Sequence, residues 1–519
     1  MNDAETLRPD DGAVDTLVRK TPWWAISVGL HTIAILVLAY MIVLSAPAEA
    51  DEVVFIKKTP PVVEPVLVDE SPFTPTPVKT TPCENPDQML APKADERTET
   101  PNDEDFKKAR GQSETFVTTQ PFNSRSNTST IGAGANAAGR KGGPFGGRDP
   151  LFGKPGGPGP VRKQADDAVL AALKWLARHQ SADGSWGVQS HAGRCAAAAC
   201  TPNRTAHEDF DTGVTGLATL AFLGAGFTHM SRDTHDGLCF GEIVKKSLQW
   251  MQARQDPEGC VGPRAAHKYM YNHAIAALAL AEAHGMTGSM LFRETAQRAI
   301  EFLVAAQNPG KAWRYSARCD NDTSVTGWAV MALKSAELAG LSFPRSAYDG
   351  TRAWLDEVTD QNYYRVGYTH LGTGKVYCAH NQSFDHHESL AAIAMMARMF
   401  IDRDRDGDPR VRGGAQLIVA DLPAWSEHAA DFYYWYYASL ALFQFDGDRG
   451  GQYWRKFEER MRDVLVKNQN VPSTGCRAGS WEPVDRWSCE GGRVYATAIN
   501  ALTLEVYYRY ASVFTGSRK

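Results

Sequence analysis

The chain has 519 residues, a formal net charge of −5 and 22% charged residues, with acidic and basic side chains interspersed along it. It contains no Lys/Arg block interleaved with aromatic residues, which argues against a nucleic-acid-binding surface and predicts no nucleic-acid partner. Nine cysteines without a C-x2-C pair argue against a disulfide-dominated scaffold, a zinc ribbon and a thioredoxin-like redox motif.

An apolar segment at residues 22–46 predicts a single transmembrane helix. It carries no Asp, Glu, Lys or Arg, and a helix of that length crosses about 30 Å of hydrocarbon. Arg19 and Lys20 precede it, so residues 1–21 are expected to be cytoplasmic. The remainder is then expected on the periplasmic side of a bacterial inner membrane. The small-residue run SAPAEA leaves cleavage of a signal peptide as the alternative.

The next segment, residues 47–163, is rich first in Pro and Thr and then in Gly. Such a composition buries too little apolar surface to offset the entropy of ordering, so a disordered linker is predicted. At the other end of the chain, residues 514–519 are predicted to be a short tail.

Residues 164–513 show helical periodicity and an internal repeat. A segment with one polar side and a Gln-x3-Gly-x-Trp ending recurs, exactly or loosely, from Trp175, Trp250, Phe302, Trp354 and Val464. More apolar helices rich in small residues begin near Asp211, Tyr269, Asp322, His386, Asp431 and Arg493. Half-polar helices belong in an outer layer and apolar ones in an inner layer. With a further outer helix after Asp408, the pattern predicts an all-α, α6/α6 double-layered helical barrel.

The repeat resembles that of squalene and oxidosqualene cyclases, protein prenyltransferase β-subunits and complement-type thioester domains. The resemblance, which covers residues 164–513, implies an α/α toroid of the prenyltransferase/squalene-cyclase repeat family. Together with the predicted anchor, the chain resembles a membrane-anchored bacterial member of that family. It implies no single function, because one fold hosts many activities. The Gln and Trp side chains are expected to tie the end of each outer helix to its neighbour.

The chemistries that the resemblance implies are incomplete in this sequence. Terpene cyclases of this type use an aspartic acid in a DxDDT-like segment, and its equivalent here is Asn321, an amide that cannot act as an acid. No cysteine is preceded two positions earlier by Asp, as the zinc site of protein prenyltransferases requires. The Cys-Gly-Glu-Gln sequence of thioester domains is absent as well.

The loops that lead into the inner helices should lie at one end of the toroid, where they gather polar residues. The acid/base candidates at this rim are Asp209, Asp211, Asp320, Asp322, His386 and His387. The alternative for Asp211, Asp322 and Asp431 is a structural role as caps of their helices.

Two groups of side chains are candidate metal ligands. Cys378, His380, His386 and His387 could hold zinc at the rim, although their spacing matches no standard site. Asp402, Asp404, Asp406 and Asp408 form the D-x-D-x-D-G start of a calcium (Ca2+) loop. Position twelve of that loop is Gly413 in place of Glu, so a weak calcium site or a solvated acidic turn is expected.

Seven cysteines lie in loops at the predicted rim: Cys195, Cys200, Cys260, Cys319, Cys378, Cys476 and Cys489. Cysteines gathered at one face of an exported domain predict disulfides. Cys195–Cys200 and Cys476–Cys489 are the easiest local pairs, and Cys319–Cys378 would join adjacent repeats. The connectivity stays open at this point.

The aromatic run from Phe432 to Tyr437, with Tyr495, Tyr507, Tyr508 and Tyr510, is expected in the core, the alternative being a ligand cavity.

The main functional prediction for the chain is a membrane-tethered binding module that takes a protein, glycan or lipid at the rim of the toroid. The alternative is an enzyme acting on an isoprenoid or a polysaccharide inside the ring.

Overall fold

The structure is a computed structural model that describes residues 31–32, 160–195, 200, 208–232, 234–266, 268–372, 388–426 and 429–509. Of a first unit, residues 1–82, only His31 and Thr32 are described, and both are helical. Those two residues fall in the predicted anchor, and residues 160–163 fall in the predicted linker. All other residues of the predicted segments 1–21, 22–46, 47–163 and 514–519 lie outside the described residues. Within those residues, no helix has both the length and the apolar character needed to span a bilayer.

The second unit, residues 83–519, contains alternating outer and inner helices. The outer helices are α1 Pro160–His179, α3 Phe240–Ala253, α5 Arg293–Ala305, α7 Ser346–Val358, α9 Pro409–Ala420 and α11 Gln452–Lys467. The inner helices are α2 Asp211–Gly224, α4 Tyr269–Thr287, α6 Thr323–Leu338, α8 Ser389–Asp402, α10 Phe432–Asp446 and α12 Ser488–Arg509. The predicted helix after Asp408 is α9, and the first helix starts four residues before the predicted domain boundary.

Short elements occupy some of the connections between these helices. The 3-10 helices are Ser190–Arg194, Glu208–Phe210, Gly447–Arg449 and Pro472–Arg477. Strands β1 Thr234–His235 and β2 Leu238–Cys239 form an antiparallel hairpin in which Thr234 lies opposite Cys239.

The two layers differ in burial as their sequences predict. Helix α4 buries every residue except Tyr271, which is half-buried. Helix α11 buries only Trp454, Phe457, Met461, Val464 and Leu465. Successive turns of the helix each contribute one or two of these residues, at spacings of three or four positions, and together they form one apolar stripe, as expected for a helix with one side in water.

The inner helices form a closed ring. Each inner helix packs against the next in chain order, and α12 returns to pack against α2. Helix α12 also contacts α1, so the last helical pair meets the first. The predicted toroid is therefore present, with the apolar core between the two layers.

The repeated glutamines link neighbouring outer helices, as the sequence predicts. In each case the side-chain amide donates to a carbonyl in its own loop and to a carbonyl in the following outer helix. Gln307, for example, donates to the carbonyls of Lys311 (2.8 Å) and Ala347 (2.9 Å). Gln469 donates to the carbonyl of Ala168 in α1 at 2.7 Å, which joins the last repeat to the first.

The repeated tryptophans fasten each loop to the outer helix before it. The indole N–H groups of Trp186, Trp313 and Trp481 donate to the carbonyls of Leu176, Leu303 and Leu465 at 2.7–2.8 Å. All three indoles are fully buried. A buried donor with a fixed acceptor specifies one loop conformation, because leaving it unpaired costs free energy.

Candidate functional site

A cavity lies inside the ring, where the inner helices begin. Its volume is about 140 Å³. The wall is mostly apolar, and eight aromatic side chains contribute to it: Phe210, Tyr271, Tyr315, Trp328, Tyr368, Tyr433, Trp487 and Tyr495. An engineered cavity of about 150 Å³ holds one benzene molecule, so this cavity has room for a small apolar group.

Hydroxyl groups of the wall are joined in two short chains. The hydroxyls of Tyr315 and Tyr368 lie 2.6 Å apart. Tyr271 donates to the Ser324 hydroxyl at 2.8 Å, and that hydroxyl lies 2.6 Å from the hydroxyl of Tyr433. The hydroxyls are thus held by one another, while the aromatic rings form the apolar surface.

Asp322 lies directly behind one of these chains. One carboxyl oxygen caps α6 by accepting the Val325 N–H at 2.7 Å, and the other accepts the Tyr368 hydroxyl at 3.3 Å. The residue is fully buried, and burial raises the pKa of its carboxyl to about 7. The nearest cation is Arg314, whose Nε lies 3.9 Å from the carboxylate. Asp322 can therefore exchange a proton near neutral pH, with Tyr368 between it and the cavity.

A second pair of buried carboxyls lies behind the part of the wall formed by α12 and the loop before it. Tyr495 donates to Asp485 at 3.2 Å, and the indole of Trp487 donates to Asp431 at 3.0 Å. Asp431 also caps α10 by accepting the Tyr434 N–H at 2.9 Å. Burial and the nearby Asp431 carboxylate raise the pKa of Asp485 to about 7.

An ion pair belongs to the same cavity wall. Lys268 Nζ lies 3.3 Å from a carboxylate oxygen of Glu490, and each side chain is about a quarter to a third exposed. Lys268 also lies over the ring of Tyr315, at 5.5 Å. Because these charges are partly solvated, they mark the side of the cavity that meets water.

The aspartates predicted at the rim differ in their burial and in their hydrogen-bond partners. Asp322 and Asp431 cap their helices as predicted, whereas Asp211 accepts the Val188 N–H at 2.8 Å and holds the preceding loop. Burial raises the pKa of Asp211 to about 6. Asp209 is exposed in the 3-10 helix before α2, and Asp320 is exposed and paired with Arg314.

Asn321, the equivalent of the cyclase acid, has a structural role. Its side-chain oxygen accepts the Ala312 N–H at 2.9 Å and the Asn308 amide at 3.1 Å. Both partners lie in the loop between α5 and α6. The amide therefore fixes this loop.

The predicted calcium loop does not bring its carboxylates together. Asp402 pairs with Arg352 at 2.6 Å and Asp406 with Arg449 at 2.7 Å. Asp408 caps α9 and pairs with Arg410. Asp404 accepts the N–H groups of Asp406 and Gly407 in a tight turn. Each carboxylate thus has an arginine or backbone partner of its own, and the four do not form a shared ligand set among the described residues.

The predicted disulfides between local cysteines are not formed. Cys195, Cys200, Cys260, Cys319 and Cys476 carry free thiols, as does Cys239. The sulfurs of Cys200 and Cys476 approach to 3.6 Å, far beyond the length of about 2.05 Å of an S–S bond. Cys489 is disulfide-bonded.

The other rim candidates, Cys378, His380, His386 and His387, lie outside the described residues. The zinc site predicted there thus stays a prediction. The same holds for the acid/base roles of the two adjacent histidines.

The aromatic run of α10 divides between core and cavity. Tyr433 contributes to the cavity wall, as does Tyr495 of α12. Phe432, Tyr434, Trp435, Tyr436 and Tyr437 are buried in the core. Of the remaining predicted aromatics, the side chains of Tyr507 and Tyr508 and all of Tyr510 lie outside the described residues.

Sequence reasoning missed Tyr315, Tyr368 and Asp485. Tyr315 and Tyr368 lie in the loops after α5 and α7, and nothing in their spacing separates them from surface residues. Asp485 lies four residues after Trp481 of the last repeat. The repeat position was the available signal, since it places Asp485 in a loop that enters an inner helix.

No protein-family model matches the chain, and no curated protein matches it. Among solved structures, an inactive variant of an alpha-1,6-mannanase of Salegentibacter sp. HEL1_6 is 10% identical, with a TM-score of 0.45, covering 67% of this chain and 99% of its own. Type II terpene cyclase MstE from Scytonema is 14% identical, with a TM-score of 0.43, covering 66% and 98%. An alpha-amylase from Clostridium perfringens is 10% identical, with a TM-score of 0.42 and the same coverage. None of these similarities bears on the chemistry of the cavity.

Proposed function

We propose that the chain is an enzyme that binds the end of an isoprenoid in the cavity of its ring and exchanges a proton with it. The observation that carries the proposal is an aromatic cavity with a buried, protonatable carboxyl behind its tyrosine hydroxyls. The main prediction from sequence, a binding module at the rim, has no comparable support.

The aromatic wall favours an apolar ligand with some charge or unsaturation. Trp328, Tyr433 and Trp487 present aromatic rings to the cavity, and the rings of Tyr433 and Trp487 pack edge-on with centroids 5.7 Å apart. Aromatic faces attract positive charge as well as apolar groups. A sugar ring would need more polar partners than the few side chains that converge here.

The volume limits how much of an isoprenoid can enter. About 140 Å³ accommodates roughly one or two five-carbon units. It does not enclose a chain long enough to fold into several rings, so a polycyclisation is not proposed. The rest of the ligand would leave past the Lys268–Glu490 pair.

Asp322 is the proposed acid/base group and Tyr368 its link to the ligand. With a pKa near 7, the carboxyl is about half protonated at neutral pH, which suits a group that both gives and takes a proton. Tyr368 donates a hydrogen bond to the ionised carboxylate of Asp322. Tyr368 belongs to the cavity wall, whereas Asp322 lies behind it. Protonated Asp322 would pass its proton to Tyr368 as Tyr368 protonates a double bond of the ligand. Return of a proton from the resulting cation through the same two groups would leave the double bond moved and Asp322 protonated again.

The predicted membrane anchor would suit such a ligand, and we include it in the proposal. A helix at residues 22–46 would tether the ring to a bilayer, where long isoprenoids dissolve. Fractionation of cells into membrane and soluble parts tests it. Recovery of the intact chain in the soluble fraction would contradict the tether.

Turnover by two aspartate variants tests the proposed reaction. The full chain is incubated in deuterated water with geraniol and geranyl diphosphate, and products with a moved double bond and deuterium bound to carbon are measured by mass spectrometry and NMR. Asp322→Asn should lower turnover by about 100-fold or more, because Asn keeps the helix cap and removes the proton. Asp320→Asn, its exposed neighbour, should retain turnover. Equal turnover by Asp322→Asn, or turnover of an oligosaccharide in place of the prenyl compounds, would contradict the proposal.

A further inference from the structure

Four potential metal ligands form a group that shares no residue with the predicted zinc and calcium sites. It consists of His179 at the end of α1, Cys195 and Cys200 in the following loop, and Cys476 between α11 and α12. One ligand atom from each lies within 4.8 Å of all the others. Within the described ranges it is the single place where three or more such side chains gather in this way.

The distances between the ligand atoms are close to the edges of a tetrahedron around one zinc ion, two of them matching and two being slightly shorter. His179 Nε2 lies 3.0 Å from the sulfur of Cys195, 3.3 Å from that of Cys476 and 3.6 Å from that of Cys200. The sulfurs of Cys200 and Cys476 are 3.6 Å apart. Zinc–sulfur bonds of about 2.3 Å and zinc–nitrogen bonds of about 2.0 Å at tetrahedral angles place ligand atoms roughly 3.5–3.8 Å apart.

The surroundings of His179 orient it as a ligand. Its Nδ1 lies 2.7 Å from the carbonyl of Trp175, so this nitrogen carries the proton and Nε2 presents its lone pair to the sulfurs. The imidazole also stacks on the Trp175 ring, with centroids 4.1 Å apart and planes 20° apart. The stacking fixes one face of the His179 ring and the hydrogen bond fixes Nδ1, so Nε2 points towards the three sulfurs.

We propose that these residues form a structural Cys3His zinc site that fastens the last repeat to the first. Four protein ligands leave no open position for substrate, which distinguishes a structural site from a catalytic one. Soft sulfur ligands in tetrahedral geometry select zinc over calcium or magnesium. The site stands apart from the cavity wall and does not depend on the proposed reaction.

The position of the site explains what the zinc would do. His179 and Cys476 are 297 positions apart in the sequence, yet both lie where the ring closes. The Gln469–Ala168 hydrogen bond and the contact between α12 and α1 occur at the same junction. Zinc would add a third connection, and closing so long a loop restricts the unfolded chain most.

Metal analysis of the full chain tests the site. The purified chain should contain about one zinc, and cobalt added to the metal-free chain should produce the thiolate-to-cobalt and visible bands of tetrahedral coordination. Removal of zinc by a chelator should lower the melting temperature by about 5 °C or more. A chain that gives no cobalt spectrum, or in which mass spectrometry finds these cysteines joined as disulfides, would overturn the proposal.

Single variants separate a metal ligand from a packed thiol. Cys476→Ser should weaken zinc binding by more than about 100-fold, beyond the loss seen for outer-shell partners. Cys319→Ser, an exposed free cysteine outside the group, should keep the zinc content and cobalt spectrum of the wild type. Equal zinc affinity of the two variants would overturn the assignment, and the cobalt spectrum of the wild type decides the matter if Cys476→Ser fails to fold.

Discussion

At the scale of single residues, Asp322 combines two roles that the sequence presents as alternatives. One oxygen caps α6, and the other faces the tyrosine that borders the cavity. The cap holds the carboxyl in place, and burial raises its pKa to about 7. A structural role and a chemical role are therefore compatible, because each uses a different oxygen atom.

The raised pKa of Asp322 predicts a particular dependence of stability on pH. The pKa of about 7 in the folded chain exceeds the ordinary pKa of 3.8, so between these values the native state holds a proton that the unfolded chain has released. Stability from this group is then present at low pH and lost as pH rises towards 7. From about pH 5 to about pH 7, the free energy of unfolding of the wild type should fall by about 2 kcal/mol relative to Asp322→Asn.

Urea denaturation of both proteins at the two pH values measures this difference. Asp320→Asn is the matched control and should follow the wild type, since its carboxyl is exposed. Parallel behaviour of the wild type and Asp322→Asn would show that the carboxyl does not titrate in this range.

At the scale of elements, hydrogen bonds from the repeated Trp and Gln side chains hold the ends of the outer helices in place. Each repeated Trp closes its loop onto the outer helix before it, and each repeated Gln reaches the outer helix after it. Two tryptophans of similar burial allow this to be tested, since Trp313 has an acceptor and the indole N–H of Trp354 has none among the described residues.

Trp313→Phe should therefore destabilise the chain more than Trp354→Phe. Both changes remove the same volume from a buried site, but only the first breaks a hydrogen bond, to the carbonyl of Leu303. The extra loss should be about 1 kcal/mol, measured by thermal or urea unfolding. Equal losses would mean that aromatic packing alone fixes the loops.

The helices were predictable from sequence and the cavity wall was not. Apolar spacing and the repeated Gln and Trp specify twelve helices in order, including α9, because both signals are local. The partners of Tyr368 and the ligands of the zinc group are set by closure of the ring. His179 precedes the repeated Gln180 directly, yet its partner Cys476 lies 297 positions away, where no local pattern indicates it.

At the scale of the whole molecule, closure distinguishes this ring from an open helical solenoid. An open stack loses stability gradually when end repeats are removed, because each repeat contacts only its neighbours. In the ring, removal of the last pair exposes apolar faces of both α2 and α10, which contact α12.

Deletion of residues 452–519 should therefore abolish the cooperative folding of the remaining repeats. The truncated chain should elute as an expanded or aggregated species and lose its sharp thermal transition. Deletion of residues 1–82, which belong to the other unit, is the control and should leave the transition in place. A truncated ring that still melts cooperatively as a monomer would indicate that closure contributes little.

Calorimetric titration of the full chain with geraniol measures whether the cavity takes the end of an isoprenoid. We expect saturable binding of one geraniol with a negative heat-capacity change. This binding should be lost in Val214→Trp, which fills the cavity from its wall. Unchanged binding by that variant, or no binding of geraniol by a folded wild-type chain, would contradict the proposal.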